Sequence, residues 1–344
     1  MRHGLEILTP ALAMHEDLAM KAVVFDRHGG VDVLSHRDHP VPAIRETDVL
    51  VKVRAVGLNY LDIFARRGMP NVTIPLPFIS GGDIAGEIAD MGLRVSHWKE
   101  GDRVVVNPKT SDGLIGEEIP GGLAEYVRVP ASNLIRLPDN VDYEVGAAIP
   151  INFGTSLRML TTVGKLQAGE TILILGASGG VGTACVQIAS MIGAKIIAAA
   201  GSDEKLQQLR NIGATYAINY ATEDFSRRAW EISGKQGVPV VVNFTGGDTF
   251  NPSLRALARC GRLLVCGATT GFSPQIDLRY LWRRELQVLG STGYTQEDIV
   301  QAVSMVSAGR LKPVIGHRFA LKDTAQAQQL LEDRKFFGKI VVTP

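Results

Sequence analysis

The chain has 344 residues, a length that predicts two domains at roughly 150 residues each. Hydrophobic residues make up 45% and charged residues 21%, and the net charge of +1 without a dense Lys/Arg block excludes a nucleic-acid partner. No apolar run approaches the ~18 residues of a membrane helix, and three cysteines without a CxxC pair fit a reducing compartment, so we expect a cytoplasmic protein without a membrane partner.

Residues 1–19 lack the charged start, the apolar stretch and the cleavage site of a secretory signal. We expect them to form an N-terminal extension without ordered structure. Met20 is a candidate start of the natural chain.

Short β-strands separated by Gly, Pro and Asp dominate the pattern from Lys21 to about Gly146. We expect these strands to form an irregular, β-rich domain. The predicted strands cover residues 22–25, 49–56, 84–89, 103–106 and 124–129.

Strands alternate with helices from about Gly154 onward, a rhythm that predicts βαβ units and a doubly wound parallel sheet. The predicted strands cover residues 171–175, 196–200, 216–218, 240–244, 263–266 and 288–290. The predicted helices between them cover residues 182–192, 203–211, 223–232 and 249–257. After about Gly293 we expect a helix at 297–307, a strand at 314–319, a helix at 323–332 and a strand at 339–342.

A glycine-rich loop directly follows the first strand of this second half, and a helix follows the loop. Its spacing, Ala177-x-Gly179-x-x-Gly182, is that of a dinucleotide fingerprint with Ala at the first small position. Small residues bring backbone N–H groups and the helix N-terminus to a pyrophosphate. An ordinary glycine-rich turn has a similar composition, but the flanking strand and helix favour the dinucleotide site.

The end of the second strand favours NADP(H) over NAD(H). NAD-binding units place an Asp or Glu there to bind the ribose 2′-hydroxyl, whereas this strand ends at Ala200-Gly201-Ser202. Asp203 and Glu204 fall in the first turn of the next helix, where they complement its dipole. Ser202 and Lys205 are candidate partners of a 2′-phosphate, and the alternative interpretation of Lys205 is a solvated helix lysine.

The order of the two halves and several local motifs resemble the medium-chain dehydrogenase/reductase superfamily, in which a GroES-like catalytic domain precedes a Rossmann domain. The resemblance covers residues 21–344. It implies an α/β fold with a GroES-like domain at 20–150 and 291–344 and a Rossmann NADP-binding domain at 151–290. The motifs are residues 56–62 (VGLNYLD), 81–86 (GGDIAG), 101–104 (GDRV), 177–182 and 338–341 (GKIV).

Zinc alcohol dehydrogenases of that superfamily carry metal ligands at places that lack them here. Asn59 stands in the Cys place, Gly82-Asp83 in the His-Glu place, and no Cys or Glu lies near Ile151. Residues 107–122 contain no cysteine for a structural zinc. Catalytic zinc needs about three N, S or O ligands, so we expect no metal. The chain resembles the zinc-independent, zeta-crystallin-like quinone oxidoreductase branch.

That branch implies a set of site residues. Residues aligned with Ser202, Lys205, Tyr220 and Arg334 surround the adenosine 2′-phosphate, and Thr155 lies beside the nicotinamide unless it only caps a helix. Residues after the fifth and sixth strands line the nicotinamide pocket, because ligands bind at the carboxyl ends of such strands. The expected cofactor-binding residues are Asn59, Thr155, Ala177, Ser178, Gly179, Gly180, Val181, Gly201, Ser202, Lys205, Tyr220, Gly267, Ala268, Thr269, Ser291, Thr292, Arg334 and Lys339.

The missing metal ligands favour a conjugated acceptor. Hydride addition to a quinone or enone gives a delocalised oxyanion, which a neutral donor can stabilise. Asn59 is the candidate donor or, alternatively, a helix N-cap. Tyr60 is a further catalytic candidate beside Thr155. Tyr60 and Tyr126 are candidate proton donors unless both are core aromatics, and water is the other proton source.

We therefore predict an NADPH-dependent oxidoreductase acting on a small-molecule quinone or α,β-unsaturated carbonyl compound. One alternative is a reductase of enoyl thioesters such as acrylyl-CoA, and another is a cofactor-binding structural protein with little turnover. The predicted strand 288–290 is an apolar sheet edge, so we expect a homodimer or a dimer of dimers.

Overall fold

The computed structural model describes residues 18–70 and 72–344. Most of the predicted N-terminal extension therefore lies outside the described residues, although Ala19 already belongs to the first strand. The N-terminal part contains β1 (Ala19–Val24), β2 (Ser35–Pro40), β3 (Asp48–Gly57), α1 (Tyr60–Arg67), β4 (Asp83–Met91), β5 (Arg103–Val106), β6 (Lys109–Thr110), β7 (Gly113–Leu114), β8 (Tyr126–Pro130), β9 (Leu134–Arg136) and α2 (Tyr143–Gly146).

A continuous helical segment joins the two halves, with π-helical Pro150–Gly154, α3 (Thr155–Leu157) and π-helical Arg158–Val163 in succession. The alternating elements follow it. They are β10 (Thr171–Ile174), α4 (Gly180–Ile192), β11 (Lys195–Ala200), α5 (Asp203–Asn211), β12 (Tyr216–Asn219), α6 (Phe225–Ile232), β13 (Val238–Val242), α7 (Phe250–Ala256), β14 (Leu257–Val265), α8 (Arg279–Arg284) and β15 (Gln287–Gly290). The chain ends with α9 (Gln296–Ser307), β16 (Ile315–Ala320), α10 (Thr324–Glu332) and β17 (Lys339–Thr343).

The second half forms a six-stranded parallel sheet in the order β12-β11-β10-β13-β14-β15. Neighbouring residues of β10 face different core clusters, since Ile172 packs in one and Leu173 in another. A parallel sheet buried on both faces explains why its central strands are apolar throughout. The predicted doubly wound sheet is confirmed.

The first half forms a seven-stranded sheet in the order β16-β17-β3-β4-β5-β9, with β8 also paired to β3. Strand β17, from the C-terminal end of the chain, joins this sheet. It pairs antiparallel with β3, so that Val341 lies opposite Gly57. This pairing brings Lys339, at the start of β17, beside the segment that follows β3. The C-terminal return thus completes the N-terminal sheet and one wall of the site.

Most predicted elements are confirmed with shifts of one to three residues at their ends. The strand predicted at 263–266 overlaps the last three residues of β14, which begins at Leu257. Some observed elements have no predicted counterpart: the short strands β2, β6, β7 and β9, the helices α2 and α8, and the helical segment from Pro150 to Val163. Within the described residues, no helix is both long and apolar enough to cross a membrane.

Candidate cofactor and substrate site

The glycine-rich loop lies between β10 and α4, at the carboxyl edge of the parallel sheet. A Cβ atom at Gly182 would lie 2.5 Å from the Gly176 carbonyl oxygen, so the close approach of α4 to the loop requires glycine there. A Cβ atom added to Gly179, the N-cap of α4, would have its nearest neighbour 3.7 Å away, so the backbone is open at this point. This arrangement presents loop N–H groups and the N-terminus of α4 to an anion.

A basic cluster is formed by Lys205, in the first turn of α5, and Arg334, just after α10. The Lys205 ammonium donates to the Arg334 carbonyl oxygen at 2.5 Å, and both residues line the cofactor cavity with Tyr220. Burial lowers the pKa of Lys205; the negative charge of Glu204 opposes this shift, and the positive charge of Arg334 adds to it. The nearby carboxylate of Asp203 accepts from the Asn219 amide at 2.9 Å. Two basic side chains thus line this end of the cofactor cavity, and charge-assisted hydrogen bonds from such groups suit an anionic ligand.

A buried ion pair occupies the place expected for metal ligands. The Lys339 ammonium donates to Oδ2 of Asp83 and to Oδ1 of Asn59, each at 2.7 Å. Asp83 is 0% exposed and Lys339 is 3% exposed. The other Asp83 oxygen accepts from the Ile151 backbone N–H at 2.8 Å. The three side chains thus form a closed polar group between the first sheet and the helical segment.

The Asn59 amide is fully used in this group. Its Nδ2 donates to Oδ2 of Asp83 at 2.9 Å and to the Gly57 carbonyl at 3.2 Å. Lys339 has only donors and the Asp83 carboxylate only acceptors, so this amide orientation is the one that satisfies both partners. Neither amide hydrogen is free for a substrate oxygen in this conformation. The role of Asn59 as an oxyanion donor stays a prediction, and the geometry favours a structural role.

Asn59 also stands at the N-cap position of α1, as its alternative interpretation predicted, but its side-chain oxygen accepts from Lys339 and not from the first turn of the helix. The capping acceptor is the Asp62 carboxylate, which accepts from the N–H groups of Asn59 at 2.7 Å and Gly81 at 2.8 Å. Burial raises the pKa of Asp62 to about 6, against the opposing effect of these hydrogen bonds and of Lys339. Asp62 therefore ties the start of α1 to the segment before β4, and so fixes Asn59 relative to Asp83.

A second cavity, of about 540 Å³, adjoins the cofactor cavity of about 160 Å³. Residues from both halves of the chain line the two together. The residues common to both are Asn59, Tyr60, Val181, Phe244 and Thr269. The apolar wall of the larger cavity includes Leu61, Phe64, Leu114 and Ile151. An apolar cavity that meets a dinucleotide cleft is suited to a planar, poorly hydrated acceptor.

Three buried polar side chains in this larger cavity have no hydrogen-bond partner among the described residues. They are Thr155 and Tyr294, each 6% exposed, and Glu117, which is 8% exposed. Tyr294 packs against the backbone of Gly154, where an added Cβ would lie 3.0 Å from the Tyr294 ring. Burial and the charge of Asp83 raise the pKa of Tyr294 well above its ordinary value, so its hydroxyl keeps its proton. Each of these groups is available to a bound molecule.

The expected site residues fall into three sets. Lining the cofactor cavity are Asn59, Tyr60, Ser178, Gly179, Gly180, Val181, Lys205, Tyr220, Thr269, Arg334 and Lys339. Lining the larger cavity are Asn59, Tyr60, Thr155, Val181, Gly267, Ala268, Thr269 and Thr292. Lining neither are Ala177, Gly201, Ser202 and Ser291.

Two residues of the third set belong to the structure that surrounds the site. Ala177 is buried and donates its N–H to Ala199, while Ser202 caps α5 by accepting from the Lys205 N–H at 3.4 Å. Tyr126 lines a separate cavity beside β2, so its interpretation as a proton donor is wrong. Sequence reasoning missed Glu117 and Tyr294, which no local motif marks.

Two family models match the chain. Residues 45–139 match the alcohol dehydrogenase GroES-like domain, and residues 180–308 match the zinc-binding dehydrogenase domain. The human quinone oxidoreductase is 32% identical over 94% of this chain and 97% of its own length. A solved NAD-dependent alcohol dehydrogenase is 34% identical with a TM-score of 0.89, and covers 94% of this chain and 100% of its own. A quinone oxidoreductase of Pseudomonas syringae pv. tomato is 30% identical, with a TM-score of 0.84 and the same coverage.

The fold and the dinucleotide cleft define a two-domain, nicotinamide-dependent oxidoreductase of the medium-chain dehydrogenase/reductase superfamily. The expected GroES-like and Rossmann fold class is confirmed. Within this superfamily the chain belongs to the quinone oxidoreductase family.

Proposed function

We propose that this protein uses NADPH to reduce quinones or α,β-unsaturated carbonyl compounds by hydride transfer, without a metal ion. The observation that carries the proposal is the Lys339–Asp83 ion pair bridged by Asn59. It stands at the positions that hold metal ligands in zinc alcohol dehydrogenases.

Zinc does not fit these residues, although one matching family model is described as a zinc-binding dehydrogenase. Catalytic zinc needs about three N, S or O ligands, and here Asp83 alone is a carboxylate. One of its oxygens already binds an ammonium at 2.7 Å, and that positive charge would repel a dication. No group of three or more His, Cys, Asp or Glu side chains suited to a metal occurs in the described part of the chain.

A conjugated acceptor suits a site of this kind. Reduction of an isolated carbonyl concentrates negative charge on one oxygen, which a metal ion would stabilise as a Lewis acid. In a quinone or enone the charge is delocalised, so neutral hydroxyl donors suffice. Thr155 and Tyr294 present such hydroxyls to the cavity, with no partner among the described residues.

The residues of the cofactor cavity fit NADPH. Ser178, Gly179 and Gly180 would hold the pyrophosphate at the N-terminus of α4. Lys205 and Arg334 would hold the 2′-phosphate. When bound, NADPH would supply the hydride from its nicotinamide ring.

A side-by-side assay of NADPH and NADH oxidation tests the function. The acceptors are a benzoquinone, an aliphatic enone and an enoyl-CoA, each with untreated protein and with protein dialysed against a strong chelator. We expect turnover of the quinone or the enone with NADPH, and we expect the same rate after chelation. A zinc alcohol dehydrogenase treated in parallel is the control, and it should lose activity.

Stoichiometric zinc with loss of activity on chelation would contradict the metal-free mechanism. Turnover of the enoyl-CoA alone would favour the enoyl-thioester reductase. Tight NADPH binding without turnover of any acceptor would favour the structural protein.

A further inference from the structure

Glu117 lines the larger cavity, where we propose that the substrate binds. In the described part of the chain it is the one carboxylate of this cavity that is buried without a hydrogen-bond partner. It lies in the turn after β7, where its N–H donates to the Leu114 carbonyl at 3.1 Å. Its neighbour Glu118 is exposed, and its carboxylate accepts from the Leu114 N–H at 3.0 Å. The backbone turn is therefore held by Glu118, and the Glu117 side chain, 8% exposed, is left to the cavity.

The surroundings of Glu117 favour the neutral acid. Burial, and then the like charge of Glu118, raises its pKa above the ordinary value. Lys109 of β6 also lines the cavity, but its side chain is exposed. The other titratable side chains of the cavity walls are Tyr60 from α1, Cys266 after β14 and Tyr294 after β15. An ionised carboxylate without a partner in such a place would be costly, and protonation removes that cost.

Reduction of a conjugated acceptor requires a proton as well as a hydride. Resting on the proposed function, we propose that Glu117 is the catalytic acid that gives this proton. The hydride, released as a C–H bond of a bound nicotinamide ring breaks, would form a C–H bond at the β-carbon of an enone or an O–H bond at one oxygen of a quinone, and the π electrons would move to the enone oxygen or to the second quinone oxygen. The Glu117 O–H bond then breaks, and its proton goes to the enolate carbon or the phenolate oxygen. Solvent reprotonates the carboxylate once the hydroquinone or saturated carbonyl compound has left.

The sign of the pH dependence follows from the acid role. Glu117 must be protonated, so kcat is highest below its raised pKa and falls as pH rises through it. Glu117→Gln keeps the shape of the side chain but has no acidic proton to give. It should lower kcat by about 10²–10⁴-fold and abolish the fall of kcat at high pH. Glu118→Gln removes the like charge that helps to raise the pKa of Glu117, so the fall of kcat should move to lower pH. Glu100→Gln, an exposed glutamate outside the cavities, is the matched control and should leave the profile unchanged.

The protonation of Glu117 can also be measured without cofactor and without turnover. pH-difference infrared spectra of the cofactor-free protein should show a carboxylic acid C=O band that disappears in Glu117→Gln. NADPH affinity and melting temperature should stay within error of the wild type in this variant. These measurements separate loss of an acid from loss of the fold.

Failure of this proposal is distinguishable from failure of the proposed function. If wild-type protein reduces quinones or enones and Glu117→Gln keeps both kcat and the pH limb, Glu117 is not the acid while the function stands. If wild-type protein binds NADPH but reduces none of these acceptors, both proposals fall. Absence of the infrared band in wild-type protein would overturn the acid role by itself.

Discussion

At the scale of single residues, the site is built around a fixed positive charge. Lys339 has three ammonium hydrogens, and Asp83 and Asn59 accept two of them at 2.7 Å each. Because the group is buried, removing one partner leaves a charge or a dipole without compensation, which costs more than the interaction itself contributes. Asn59 is therefore expected to stabilise this buried group and not to bind the substrate oxygen.

Asn59→Ala tests whether Asn59 acts on stability or on catalysis. Both amide hydrogens serve Asp83 and Gly57, so we expect the substitution to act on stability. The free energy of unfolding should fall by about 1–3 kcal/mol, while kcat of the folded protein stays within roughly tenfold. Loss of an oxyanion donor would instead lower kcat by about 10²–10³-fold. Measuring kcat, NADPH affinity and melting temperature on one preparation separates the two roles.

Asn133→Ala calibrates the stability change. Asn133 is 7% exposed and its amide likewise donates twice, to the carbonyl oxygens of Asn107 and Lys109. A loss of kcat by two orders of magnitude in Asn59→Ala, with a melting temperature no lower than that of Asn133→Ala, would show that our structural interpretation is wrong.

At the scale of elements, we propose that the first turn of α5 and the residues just after α10 together set the preference for NADPH. Ala200 is fully buried, so an acidic residue there would have to be accommodated in the core and would confound a test by Ala200→Asp. Lys205 and Arg334 line the cofactor cavity and are better suited to substitution than Ala200. Lys205 and Arg334 converge from two elements that are 129 residues apart in sequence.

Lys205→Ala should weaken NADPH binding by about 10–100-fold, because a hydrogen bond to a charged group contributes roughly 1.5–3 kcal/mol. NADH lacks the 2′-phosphate, so its dissociation constant should change little. Fluorescence titration of both cofactors measures the effect. Lys195→Ala, an exposed lysine at the opposite end of β11, is the matched control. Equal weakening of both cofactors, or a wild-type protein that prefers NADH, would contradict the NADPH assignment.

Sequence patterns predict the elements where one physical signal dominates. The strand β10 is a short apolar run, and the loop after it is marked by Gly179 and Gly182, so the pattern indicates both its position and the class of ligand it binds. Two-residue strands such as β6 and β7 carry no periodicity, so the sequence does not predict them. Glu117 lies in the turn after β7. Because the sequence does not predict this hairpin, it does not indicate Glu117 as a proton donor.

At the scale of the whole molecule, the site depends on contacts that no local pattern contains. The ion pair joins Asp83 and Lys339 across 256 residues, because β17 returns to pair with β3. Tyr294 reaches the cavity from the segment after β15 and packs on Gly154 of the helical segment. The sequence shows that metal ligands are missing at 59, 82 and 83, but only the packed fold shows what replaces them.

The outer edge of the parallel sheet is the place where two molecules would meet. Among the described strands, β15 is paired only on its β14 side, and the residues around it expose apolar side chains. Leu278 is 58% exposed, Trp282 64% and Val288 45%. An unprotected apolar edge invites pairing with its twofold mate. We propose a homodimer in which two β15 strands pair antiparallel, either alone or within a dimer of dimers.

Val288→Lys should convert this dimer to a monomer, because it replaces an apolar side chain of each pairing edge strand by a positive charge, and like charges across such a pair are destabilising. Light scattering of wild-type and variant protein at micromolar concentration measures the change in mass. Val300→Lys is the matched control, since Val300 is 47% exposed on α9, away from the edge, and the same substitution there should leave the dimer intact. A monomeric wild-type protein, or a Val288→Lys variant of unchanged mass, would show that β15 is not the interface.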